Sequence, residues 1–182
     1  MAILIFGLLL WVAGHFFKRA LPGVHQGFGG GAKGIAAVVI LMGLVLMVIG
    51  YRGHGAPLVW YPPAFMVHIN NLLMILAVYL YAASGVKARL ATRIRHPQLT
   101  AVKTWAVAHL LVNGDLASIV LFGGLLAWAV AEVIVINRAQ RDWTRPEWGG
   151  TSAEVKAVVG TVVVFVIIAA VHIWLGVWPF PR

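Results

Sequence analysis

Long apolar stretches that carry almost no charge dominate the sequence, and short charged segments separate them. A helix needs about 20 mostly apolar residues to cross the roughly 30 Å hydrocarbon core of a bilayer. Six stretches approach that length: residues 1–20, 35–51, 64–84, 97–113, 115–137 and 155–178. The fourth is short and contains Lys103. The pattern predicts an all-α polytopic membrane protein, a bundle of about six transmembrane helices that forms a single domain over residues 1–182.

The composition excludes several other classes of protein. Apolar residues make up 62% of the chain and charged residues only 10%, whereas a soluble domain has roughly 25% charged residues. A soluble enzyme, a nucleic-acid-binding module and a disordered tail are therefore excluded. The sequence contains no cysteine, which also excludes disulfides, thiolate ligands, iron–sulfur clusters and covalent haem attachment.

The positive charges predict how the helices are oriented. Twelve of the fourteen lysines and arginines lie in the first, third and fifth connections or within two helical turns of them, while Arg52 and Arg182 lie on the opposite side. Connections rich in lysine and arginine stay in the cytoplasm, so both termini are expected on the periplasmic side. The net charge of +9 then indicates contact with anionic headgroups of the lipid bilayer, and we expect no nucleic-acid partner.

Histidine is the residue type that points to chemistry inside the membrane. Four of the seven histidines are predicted to lie in hydrocarbon on four different helices: His15, His68, His109 and His172. The other three, His25, His54 and His96, lie in predicted loops or at a helix mouth. A single buried histidine is most often only hydrogen-bonded to a neighbour. Four on four helices favour a cofactor, because imidazole is a common ligand of haem iron and helix bundles hold cofactors between facing helices.

The predicted depths of these histidines limit how they can pair. At 1.5 Å per residue, His15 lies about 7 Å and His109 about 13 Å from the inner face. His172 and His68 lie at about 22 Å and 24 Å. The depths allow His15 with His109 or His68 with His172, and His109 with His172 is a looser third pair.

The fourth predicted helix carries a further group of candidate residues on one face. Val102, Trp105, Ala106, His109 and Asn113 recur at spacings of three and four residues, so they share a face of the helix. Ordinary packing through small residues explains part of this pattern. A planar cofactor seated against the face would contact an indole, an imidazole and an amide, which makes Trp105, His109 and Asn113 candidate cofactor-binding residues.

Two runs in the centre of the chain resemble the signature of the NnrU family of bacterial membrane proteins. They are residues 95–99, RHPQL, and residues 102–115, VKTWAVAHLLVNGD. That family is similar to the ζ-carotene isomerase of plastids and cyanobacteria. The resemblance covers the whole chain, from His15 in the first span through the WYPP turn at residues 60–63 to His172 in the last span.

The resemblance implies a multi-pass protein of the bacterial inner membrane that is associated with denitrification and nitric oxide handling. The isomerase relatives bind haem b and convert a cis double bond in a carotenoid. Their iron is held by two histidines that correspond to His15 and His109 here. Their tuning of the haem by a nearby cysteine has no counterpart, because this chain has no cysteine.

Three classes of function follow from these observations. The first is an isomerase or redox catalyst that acts on a carotenoid-like, lipid-soluble polyene, with haem b held by His15 and His109. The second is a haem-binding accessory or sensor protein of nitrogen-oxide metabolism that has no turnover. The third is a small scaffold without a cofactor.

Overall fold

Helices make up most of the chain in the computed structural model, which describes residues 1–53 and 55–180. The helices are α1 (Ala2–Ala20), α2 (Pro22–Gly27), α3 (Ala32–Arg52), α4 (Met66–Val86), α5 (Arg89–Arg93), α6 (Pro97–Val112), α7 (Leu116–Ala139) and α8 (Gly150–Trp174), with a 3-10 turn at Gly29–Gly31. Within these residues the only β pairing is one isolated bridge between Leu58 and Asp115. The all-α prediction is therefore confirmed. The predicted positions of His54 and Arg182 lie outside the described residues.

Five helices of the described chain are long and apolar enough to cross a membrane. They are α1, α3 (with the preceding turn), α4, α7 and α8, each of 19 to 25 residues. The predicted fourth span corresponds to α6, whose 16 residues extend only about 24 Å. Pro97 begins α6, and extended backbone at Asn113 ends it. The five long apolar helices of the described residues indicate a multi-pass membrane protein, and α6 is the longest of the shorter helices.

The last helix begins five residues and ends four residues earlier than the sequence predicts. Residues 150–154, which precede the predicted span, form the first turn of α8. At the other end, Gly176 has a φ of +78°. The amides of Gly176 and Val177 donate to the carbonyls of Ile173 and His172, each at 2.9 Å. This paired arrangement around a left-handed glycine stops the helix.

Much of the surface of the long helices is apolar. On α8, valines 155, 158, 159, 162 and 163 are exposed, and α3 carries a similar set at Val38, Leu41, Val45 and Val48. Surfaces of this kind are rare and costly in water, whereas hydrocarbon accepts them. Their presence agrees with the membrane assignment.

The described chain divides into two compact units. The first contains Met1–Trp60 and Gly114–Trp128, and the second contains residues 61–113 and 129–180. In the first unit, α1 packs against α3 through glycines on both helices. A Cβ added at Gly7 would lie 2.6 Å from the Met47 nitrogen, and one at Gly43 would lie 2.8 Å from the Trp11 nitrogen. The backbones of α1 and α3 therefore approach at positions where only glycine fits.

The start of α7 is tied to the end of α3 by polar contacts within the first unit. Asp115 caps α7 by accepting a bond from the Ser118 amide at 2.9 Å. The Ser118 hydroxyl donates to the second Asp115 oxygen at 2.5 Å. Because that proton is used, the Tyr51 hydroxyl donates to Ser118 Oγ, at 2.9 Å. This chain of bonds satisfies Ser118, which is fully buried.

In the second unit, α4 packs against α5, α6 and α8. One carboxylate joins three of its segments near the start of α8. Glu154 accepts bonds from the Arg89 amide at 2.7 Å and from the Trp148 indole at 2.8 Å. The Arg89 guanidinium lies 4.3 Å above the Trp148 ring. These contacts connect α5 and the α7–α8 loop to the first turn of α8.

Candidate functional site

His15 lies in the first unit with its ring held in one orientation. Its Nδ1 is 2.9 Å from the carbonyl oxygen of Trp11, one turn earlier in α1. A carbonyl can only accept, so Nδ1 carries the proton and the neutral ring has its lone pair on Nε2. Metal-binding histidines are commonly oriented by such a bond from the other ring nitrogen. His15 therefore has the tautomer and the fixed orientation that iron ligation requires.

Two indoles surround the His15 imidazole. The Trp11 and Trp128 rings each have their centroid 4.5 Å from that of His15, and the two indoles meet edge to face at 5.3 Å. Trp128 is only 6% exposed. The Nε1 atoms of Trp11 and Trp128 are both buried, and neither has a hydrogen-bond partner among the described residues. A buried donor without a partner costs about 1–3 kcal/mol, so these two N–H groups mark a place where an acceptor is missing.

His109 lies on α6, in the second unit, and is oriented in the same way. Its Nδ1 donates to the carbonyl oxygen of Trp105 at 2.9 Å, which again puts the lone pair of the neutral ring on Nε2. The Trp105 and His109 ring centroids are 4.9 Å apart. Asn113 donates from its side-chain amide to the His109 carbonyl at 2.8 Å, so it caps the end of α6. The predicted shared face of Trp105, His109 and Asn113 is thus connected by hydrogen bonds within α6.

The two sites have the same local sequence pattern. Residues 11–15 read WVAGH and residues 105–109 read WAVAH. In each, a tryptophan supplies the carbonyl that orients a histidine four residues later, and a small residue precedes the histidine. We call each of these five-residue segments a Trp–His turn. One Trp–His turn lies in each unit, and the approach of His15 to His109 stays a prediction.

The remaining histidines match this pattern less well. His172 donates from Nδ1 to the Ile168 carbonyl at 2.8 Å, but no tryptophan lies one turn before it. His68 is exposed in the first turn of α4. His96 donates from Nε2 to the Asn137 amide oxygen at 2.8 Å, so that nitrogen is already used. The pairs His68 with His172 and His109 with His172 stay predictions.

Sequence reasoning missed Trp11 and Trp128. The signal for Trp11 was present, since its spacing from His15 repeats that of Trp105 from His109. Trp128 approaches His15 from a helix more than 100 residues away in the sequence, and local pattern gives no indication of that contact. Both indoles belong to the candidate site.

A site built only from protein carboxylates and imidazoles is not seen. Among residues 1–53 and 55–180 there is no group of three or more His, Asp or Glu side chains that could hold a metal ion. Haem needs fewer protein ligands, because the porphyrin supplies four nitrogens and the protein one or two axial groups.

Comparison with known proteins adds one match. A protein-family model described as NnrU protein matches residues 3–179, which is almost the whole chain. No curated protein and no solved structure gives a significant match.

Proposed function

The chain belongs to the NnrU protein family, and from that membership together with the two Trp–His turns we propose that it is an integral-membrane haem b protein. His15 and His109 would hold its iron. The observation that carries the proposal is the repeated geometry: each histidine donates from Nδ1 to a tryptophan carbonyl at 2.9 Å. In the neutral form each ring therefore has its lone pair on Nε2, the form of imidazole that binds iron.

The residues around His15 fit a haem group in a further respect. The unpartnered indole N–H groups of Trp11 and Trp128 need acceptors, and no bulk water is present inside a bilayer to supply them. The oxygens of a bound prosthetic group are acceptors of the required kind. The apolar and aromatic surroundings also suit a porphyrin face. Haem bound here supplies an iron centre whose reactivity depends on its axial ligands and on the exclusion of water.

As the activity, we propose isomerisation or redox chemistry on a carotenoid-like polyene dissolved in the membrane. Lipid-facing valines on α3 and α8 give such a substrate an apolar approach without passage through water. In this reaction His15 and His109 hold the cofactor, while Trp11, Trp105 and Trp128 fix the imidazoles and exclude water. The family resemblance supports this substrate class.

A second function is favoured by the absence of cysteine. The isomerase relatives tune their haem with a cysteine, and this chain has none to exchange with histidine at the iron. A protein of this kind acts instead as a haem-binding accessory or sensor of nitric oxide metabolism, without turnover. The nitric oxide association of the family supports this alternative.

We further propose a bacterial inner-membrane location, with α6 as a sixth membrane-embedded helix and both termini in the periplasm. The distribution of lysine and arginine supports this orientation, because twelve of the fourteen lie in the connections assigned to the cytoplasm or within two helical turns of them.

The optical spectrum of the detergent-purified protein, oxidised and then reduced, tests haem binding. We expect a Soret band, with most haem lost in His109→Ala and a shifted spectrum or weaker binding in His15→Ala. His25→Ala is the control and should match the wild type. A colourless protein that added haemin does not restore would contradict the proposal. An unchanged bis-histidine spectrum in both variants would indicate that His68 and His172 bind the iron instead.

Carotenoid turnover distinguishes the two functions. The protein is produced in a host that accumulates a cis-carotenoid, and pigments are analysed with the wild type and with His109→Ala. Conversion by the wild type alone supports the isomerase. Haem binding without any conversion supports the accessory or sensor function.

A further inference from the structure

A small cavity in the second unit is lined by none of the residues of the Trp–His turns. Its volume is about 190 Å³, equal to about six waters at roughly 30 Å³ each. It lies where α4 ends, α5 runs and α6 begins, and Pro146 of the α7–α8 loop lines one side of it. These segments belong to the third and fifth connections, which carry most of the basic residues.

The cavity has two cations in its lining and no carboxylate. Lys87 and Arg95 line it, together with the hydroxyl residues Ser84 and Thr92. Among the described residues no carboxylate is paired with the Lys87 ammonium, and Arg95 donates only to the carbonyls of Gln140 and Arg141. Both positive charges are therefore uncompensated by the protein.

The polar lining is also held in place. Arg95 is fixed by its two carbonyl acceptors on the α7–α8 loop. Thr92 is buried and donates its hydroxyl proton to the Arg89 carbonyl at 2.9 Å, which leaves Ser84 as the hydroxyl donor of the cavity. The neighbouring carboxylate of Glu154 is occupied by Arg89 and Trp148, so it does not neutralise the site.

Lys87 has an unusual backbone for a residue with a side chain. It ends α4 with a φ of +57°, in the left-handed region that glycine adopts at no steric cost. A strained conformation held at one residue often marks a functional position. Here it places a lysine where the turn itself favours glycine.

We propose that this cavity binds a phosphate group, carried either by an anionic lipid headgroup or by a free phosphate ion. Arginine and lysine are the cations that recognise phosphate oxygens, with arginine giving directional bonds and lysine a point charge. Basic pockets between membrane helices on the cytoplasmic side bind phospholipid headgroups in this way. The proposal does not depend on haem binding.

Lys87→Gly is the decisive variant, because it removes the ammonium and at the same time relieves the backbone strain. The fold should be kept, which circular dichroism and thermal unfolding check. Lys18→Gln is the matched control: it removes one positive charge from the same predicted side of the membrane, but at a residue of the first unit that does not line the cavity.

The full-length protein is tested in two arms. In the first, inorganic phosphate is titrated calorimetrically into protein in neutral detergent at constant ionic strength. In the second, nanodiscs of phosphatidylcholine with and without phosphatidylglycerol are used, and native mass spectrometry counts the lipids that stay bound. We expect Lys87→Gly to weaken binding about five-fold and Lys18→Gln to leave it unchanged.

If Lys87→Gly loses binding only in the nanodisc arm, the ligand is a lipid headgroup. If it loses binding in the calorimetric arm, the ligand is free phosphate. Arg95→Gln should also weaken binding of the ligand in the arm where Lys87→Gly does. The proposal is overturned if the wild type retains neither ligand, or if Lys87→Gly and Lys18→Gln behave alike in both arms.

Discussion

The packing of α1 against α3 gives a quantitative prediction at Gly43, which faces Trp11, one helical turn before the proposed haem ligand His15. A Cβ at this position would lie 2.8 Å from both the Gly7 oxygen and the Trp11 nitrogen. Ordinary contacts of a Cβ begin near 3.4 Å, so α1 must move away by about 0.6 Å in Gly43→Ala. The clashing atoms are backbone, so no side-chain rotation can relieve them. Overpacking of this kind costs about 1–3 kcal/mol.

The free energy of unfolding can be measured by titrating sodium dodecyl sulfate into mixed micelles and following helix content by circular dichroism. The control is Gly34→Ala on the same helix, where an added Cβ meets nothing within 4 Å. That variant should be unchanged or more stable by up to about 1 kcal/mol. Equal stability of Gly43→Ala and Gly34→Ala would refute the close backbone contact.

Three further predictions use the same unfolding measurement. Trp128→Phe should change the free energy of unfolding by less than about 1 kcal/mol, because removing an unpaired buried N–H offsets the lost packing. The same variant should retain less haem. Unchanged haem retention would contradict the role given to this indole. Asp115→Ala should cost about 1–2 kcal/mol through loss of the α7 cap and of the acceptor for Ser118, and Asp115→Asn should recover most of it. Gly176→Ala should cost about 1 kcal/mol, because a Cβ is strained at positive φ; no loss would indicate that α8 ends differently.

The helices could be predicted from the sequence because hydrophobic length determines them. Lipid requires every backbone group to be bonded within a helix, so uninterrupted apolar stretches such as residues 1–20 define α1 almost to the residue. The start of α8 could not be located in this way. Thr151, Ser152 and Glu154 suit a loop and a first helical turn equally well.

The candidate site could be predicted only in part. His15 and His109 were identified because imidazoles in hydrocarbon are rare and costly. The contact of Trp128 with His15 depends on how distant helices pack, which no local pattern records. The cavity at Lys87 could not be predicted either, because basic residues in a loop between membrane spans are interpreted as evidence for the orientation of the helices in the membrane.

The electron paramagnetic resonance spectrum of the ferric haem tests the central claim most directly, because it reports which groups ligate the iron. The account predicts a low-spin signal of two imidazole ligands in the wild type. It predicts a high-spin signal in both His15→Gly and His109→Gly, with low spin restored by added imidazole. A low-spin signal that survives unchanged in either variant would show that the histidine removed in it is not an iron ligand.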